Sequence, residues 1–117
     1  MAQVTPIQVI AAGRVLDDGG AWIVTAPGWI RGASPTIAHP GAGIATITLD
    51  DPADAGTATV PGTVTIVTCN GSAAGAFGTA TRPSDTTVQI NIWTATAVAA
   101  DLNFEFVVLQ APTTVGA

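Results

Sequence analysis

Two stretches near the C-terminal end decide what this chain can fold into. Residues 87–94 place Val88, Ile90 and Ile92 at every second position, with Gln89 and Asn91 between them. Residues 102–108 repeat the device, with Leu102, Phe104, Phe106 and Val108 set against Asn103 and Glu105. A period of two sends alternate side chains to opposite faces of a strand, whereas a helix would scatter them around its axis. Each stretch is therefore a strand with one face to bury. The rest of the chain has the same character: short runs of Val, Ile and Thr, punctuated by Gly, Pro, Asn and Asp. Strand formers between turn formers leave little room for helix.

Further strands are predicted upstream. Residues 7–16 lead into the turn at Asp17-Asp18-Gly19-Gly20, and residues 21–25 follow. Residues 29–31 and 36–38 form two short strands, closed by a turn at His39-Pro40-Gly41. Residues 43–49 put Ala45, Ile47 and Leu49 on one face and Thr46 and Thr48 on the other. Residues 57–70 read as one or two strands broken at Pro61-Gly62, because proline cannot donate to a ladder. Asn70-Gly71 is a turn signal, and residues 76–81 form a short strand ended by Arg82-Pro83-Ser84-Asp85. The last two strands, 87–94 and 102–108, are expected to pair antiparallel, with 95–101 as a turn, a helical corner or a long hairpin loop. Eight to nine short strands with regular turns predict an all-β fold: an antiparallel β-sandwich, jelly-roll-like. At 117 residues it is one domain, 1–117, with loose termini expected at 1–6 and 111–117.

Charge narrows the function. The chain has no lysine; its cations are Arg14, Arg31 and Arg82, and its net charge is −5. Phosphate binding needs a clustered basic patch, so neither nucleic acid nor a membrane surface is an expected partner. Charged residues make up 9% of the chain, against roughly 25% in ordinary soluble domains. A surface so poor in charge repels its own copies weakly, which suits a protein that lives in an assembly. The opening segment MAQVTPIQVI has neither a basic start nor a long apolar run, so no secretory signal is read and synthesis in a cytoplasm is expected.

The residues that could carry chemistry are few. His39 is the single histidine, no Gly-x-Ser-x-Gly elbow accompanies it, and a turn is its plainer role. One His and one Cys are too few for zinc. Cys69 reads as a small buried hydrophobe in a strand. Asp50, Asp51 and Asp54 are oxygen ligands of the kind calcium takes, but they lack EF-hand spacing and read more simply as a solvated turn. The glycines between Gly71 and Gly78 have no following lysine to meet a phosphate. No enzyme, cofactor or metal is therefore expected.

Tryptophans and one acid point to contact instead. Trp93 falls opposite the Val88, Ile90 and Ile92 face, where it is either an interface residue or core of a doubly covered sheet. Val107 shares a face with Glu105 and Asn103. Glu105 sits in an apolar strand, facing solvent or a wet channel, with Arg14 or Arg82 as the partner an acid near an assembly axis would need. Trp93, Glu105, Val107 and Arg14 are thus the candidate subunit contacts. Trp22 and Trp29, near Asp17-Asp18, are the candidate sugar platform.

Three stretches resemble a compact β-domain of bacteriophage virion proteins, found in capsid decoration or head-fibre proteins and at tail-fibre tips. They are Ala12-Gly13-Arg14-Val15 with the Asp17–Gly20 turn; the strand 43–49 ending in Asp50-Asp51-Pro52, with Ala45 where the family has an aromatic; and the pair 87–94 and 99–109. The run Ala100-Asp101-Leu102-Asn103-Phe104-Glu105-Phe106-Val107-Val108 is similar to the family's A-D-x-x-F-x-F-x-V ending. The likeness spans about 100 residues. It implies a jelly roll like the heads of complement C1q and tumour necrosis factor, and assembly as a homotrimer. With Met1 as the start, no shaft or stalk is expected, and the resemblance then implies a free-standing decoration or cement subunit, bound to the major capsid protein of a phage head and localised to the virion. A tail-fibre tip or glycan-recognising knob is the alternative.

Overall fold

The computed structural model describes residues 3–4, 8–24, 33–50, 62–69, 74–110 and 114–115. These form two four-stranded antiparallel sheets packed face to face, a β-sandwich, with no helix among the described residues. The first sheet contains β2 (Gln8–Asp17), β3 (Trp22–Ile23), β6 (Thr63–Thr68) and β9 (Phe104–Gln110), in the order β3-β2-β9-β6. The second contains β4 (Ala33–Gly41), β5 (Ile44–Leu49), β7 (Phe77–Ser84) and β8 (Thr87–Trp93), in the order β4-β5-β8-β7. The chain changes sheet after β3, β5, β6 and β8, which brings the early strand β2 beside the late strand β9 in a jelly-roll-like weave. Within the end segments expected to be loose, β1 (Gln3–Val4) pairs antiparallel with β10 (Thr114–Val115).

The alternation read from the sequence is what packs the sheets together. Ala45, Ile47 and Leu49 of β5 and Val88, Ile90 and Ile92 of β8 point inward from one sheet. Ala11 and Val15 of β2 and Phe104, Phe106 and Val108 of β9 meet them from the other. Burying each large aliphatic or aromatic side chain contributes about 1.5–3 kcal/mol. Trp22 joins this core edge-on to Phe104, with centroids 5.3 Å apart and planes at 81°.

The two C-terminal strands do not pair with each other. β8 lies between β5 and β7, and β9 between β2 and β6, in opposite sheets. The reason is in their apolar faces. Paired side by side, both faces would need a separate cover; set opposite one another, each covers the other. Residues 95–101 therefore make a crossing between sheets. It opens with a turn in which Thr94 donates its backbone N–H to Val98 O at 2.9 Å.

Two expected turns are strand. β4 continues through His39 and Pro40 to Gly41, and the turn falls at Ala42-Gly43. β7 continues through Arg82 and Pro83 to Ser84, with a register shift between Thr81 and Ser84. Both are edge strands, where a proline lacks only a hydrogen bond that no neighbour would have received. Of the strand expected at 21–25, Trp22–Ile23 is strand and Thr25 lies outside the described residues. Those expected at 29–31 and 57–61, the Asn70-Gly71 turn, and Trp29, Asp51 and Asp54 lie outside the described residues.

One end of the sandwich is closed by the β8–β9 crossing. Gly43 has φ +67°, and a Cβ there would stand 2.5 Å from Ile92 O and 2.8 Å from Ala100 N, so only glycine fits the turn against the crossing. Ile92 N donates to Gly43 O at 2.7 Å. Asn103 Oδ1 accepts from Asp17 N at 2.9 Å, fastening the same crossing to the end of β2.

Candidate functional site

The outer face of the first sheet is built in three rows across β2, β9 and β6. Register places Val9, Leu109 and Val64 in one row, Ala12, Val107 and Ile66 in the next, and Arg14, Glu105 and Thr68 in the third. Val64 and Ile66 are 47% and 48% exposed. A shallow depression lies among Ile66, Thr68, Glu105 and Val107. The third row carries an ion pair, Arg14 Nε to Glu105 Oε1 at 3.5 Å, with both side chains well exposed (53% and 38%). An exposed pair of this kind adds at most about 1 kcal/mol to the fold.

β6 is inside out. Its alternation sends Val64 and Ile66 to the outside and Thr63, Thr65 and Val67 toward the opposite sheet. A one-residue slip would exchange those faces. Two contacts hold the observed register. Val67 sits over Gly78 of β7, where an added Cβ would come within 2.5 Å of Val67 Cγ1. Arg82 reaches across from β7 and donates Nη1 to Thr63 Oγ1, while its Nε donates to Thr87 O at 2.9 Å. The cost of the arrangement is visible at Thr65, whose hydroxyl is buried without a hydrogen-bond partner.

Of the four candidate contact residues, the structure brings Arg14, Glu105 and Val107 onto this face. Arg14, not Arg82, is the partner of Glu105. Trp93 lies on the outer face of the other sheet, beside Phe77, with ring centroids 6.4 Å apart and planes at 21°. Phe77 is 43% exposed. Gln89 and Asn91 continue that face along β8, joined by Gln89 Nε2 donating to Asn91 Oδ1 at 3.1 Å. Trp22 is no sugar platform: it is 6% exposed, and its indole donates to Ile44 O at 2.8 Å. The indole packs between β3 and β4 at this side of the sandwich, edge-on to Phe104 and against His39.

A second polar cluster joins β4, the β4–β5 turn and the β8–β9 crossing. Asp101 Oδ1 is 2.9 Å from His39 Nε2 and accepts from Gly43 N at 2.7 Å. The Trp22 ring packs on His39 with centroids 5.4 Å apart. Partial burial pushes the Asp101 carboxyl up, but the hydrogen bonds from His39 and Gly43 and the charge of His39 together outweigh it, leaving its pKa below the ordinary value. Nothing local in the sequence links His39 to Asp101, since 62 residues divide them. What the cluster does is clasp: one carboxylate oxygen ties two loops together.

Cys69 lies just past β6, partly buried against the core, and burial raises its thiol pKa. That makes it a poor nucleophile at neutral pH. Asp50 is exposed. Among the described residues, no three His, Cys, Asp or Glu side chains come together as a metal site would require.

No protein-family model, curated protein or solved structure matches the chain.

Proposed function

We propose that this chain is a structural subunit of a phage virion, a capsid decoration or cement protein that assembles as a trimer on the head surface. The observation that carries the reading is the outer face of β2, β9 and β6. Half-exposed Val64 and Ile66 lie there with Val107 and Leu109, while Thr63 and Thr65 share the inward side of β6 with Val67. Contacts with β7 hold the strand this way round, and the apolar side chains they leave outside are the kind of surface a partner covers. The shortage of surface charge and the resemblance of the C-terminal strands to phage decoration domains support the same reading. The test has two arms. Light scattering should give about 35 kDa, three copies of an 11.6 kDa chain. Co-sedimentation with a panel of purified phage heads should then capture the trimer in fixed ratio to the capsid protein. A stable monomer that binds none of them overturns the reading.

A second reading, a glycan-recognising knob, is favoured by Phe77 and Trp93. Their near-parallel rings, flanked by the Asn91 and Gln89 amides, offer a stacking surface beside hydrogen-bonding groups. A glycan array probed with wild type and Trp93→Ala tests it: binding lost in the variant supports a sugar site, and silence of the wild type removes it.

A further inference from the structure

We propose that neighbouring copies of this chain pack through the outer face of β2, β9 and β6, with Arg14 of one copy bonded to Glu105 of the next. The proposal rests on the self-assembling reading above and names its contact. Three features choose a second copy as the occupant. The first is local neutrality. The chain carries −5 overall, yet on the three rows of this face a single cation stands beside a single anion, so the face itself adds no like-charge repulsion where copies would meet. The second is self-complementarity. Opposite charges on adjacent strands, edged by two apolar rows, let the cation of each copy meet the anion of the next around a three-fold axis; a basic or an acidic partner would satisfy one charge and oppose the other. The third is spare bonding capacity. Arg14 meets Glu105 through one nitrogen at 3.5 Å, and a guanidinium has five N–H donors in a planar fork. Covering the face would convert an exposed pair of small worth into a dry, shared network.

Charge exchange tests this without relying on any single variant. In Arg14→Glu, both positions are acidic; in Glu105→Arg, both are basic. Light scattering of each alone should show the oligomer weakened at least tenfold in apparent Kd. Mixing the two should recover part of it, because acidic positions of one chain then meet basic positions of the other at two of the three contacts of a ring and one like-charged contact remains, while the pair within each chain stays mismatched. Arg14→Gln, which removes charge without repulsion, should give an intermediate loss. Single variants that keep the wild-type mass overturn the proposal and leave the assembly reading standing. Loss without recovery on mixing also overturns it, since the damage is then internal to the chain. A wild type that is monomeric at every concentration overturns this contact, and the assembly reading falls with it if that monomer also binds no phage head.

Discussion

The Trp22 indole donates to the Ile44 carbonyl at 2.8 Å, a side-chain bond that crosses from the first sheet to the second. The same ring touches Phe104 in the core and His39 at the rim, so one residue closes the β3–β4 side of the sandwich. Trp22→Phe keeps an aromatic ring but leaves the carbonyl without its donor. The expected loss is about 1–3 kcal/mol, read as a lower urea midpoint at unchanged slope.

Asp101 predicts how stability depends on acid. Its folded pKa lies below the ordinary value of 3.8, so the folded state holds the charged form more firmly than the unfolded chain does. Its contribution is complete above the unfolded pKa and drains away as pH falls from there through the folded one. Urea titrations at pH 6 down to pH 2 should therefore show a falling stability whose lower part flattens in Asp101→Asn. The asparagine can still accept from Gly43 N, which separates loss of charge from loss of the clasp. A variant with the wild-type acid slope would remove Asp101 as its source.

Gly78 controls how closely β6 and β7 approach. A Cβ at this position would meet Val67 Cγ1 at 2.5 Å and Ile92 Cδ1 at 3.0 Å. Gly78→Ala should cost about 1–3 kcal/mol by overpacking. Pairing it with Val67→Ala opens the space again, so the double variant should lose less than the sum of the two single losses. Thermal denaturation of the four proteins gives that coupling directly.

Val64 and Ile66 should matter to assembly and hardly at all to folding. The double variant Val64→Thr, Ile66→Thr keeps β-branched side chains on an exposed strand face. Monomer stability should change by no more than about 0.5 kcal/mol per site. The oligomer should dissociate at higher protein concentration than wild type, measured by sedimentation velocity over a dilution series. Equal loss of folding stability would mean that the face is part of the monomer's own packing.

How far the residues could be read in advance differs from strand to strand. In β5, β8 and β9 the alternation is regular and one face is plainly apolar, so both strand identity and the buried side chains follow from spacing alone. Arg14 as the partner of Glu105 was one of two options open to the chain, and it took the cross-strand register of β2 and β9 to select it. β6 shows the opposite case. Thr63-Val64-Thr65-Ile66 alternates as cleanly as β8, and spacing alone would turn the valine and isoleucine inward. Contacts from another strand, Gly78 and Arg82, reverse it. Both lie on β7, outside the strand whose facing they decide.

The sequence by itself determined that the chain is all β, roughly where its strands begin, and which side chains fill most of the core. These are local properties, written in a period of two and in the conformational limits of Gly and Pro. Only the tertiary structure decided which strands share a sheet, that β8 and β9 face one another rather than pair, and that His39 meets Asp101. Those outcomes depend on burying several apolar faces at once. No strand can settle that alone, because each face is satisfied only by what the rest of the chain brings against it.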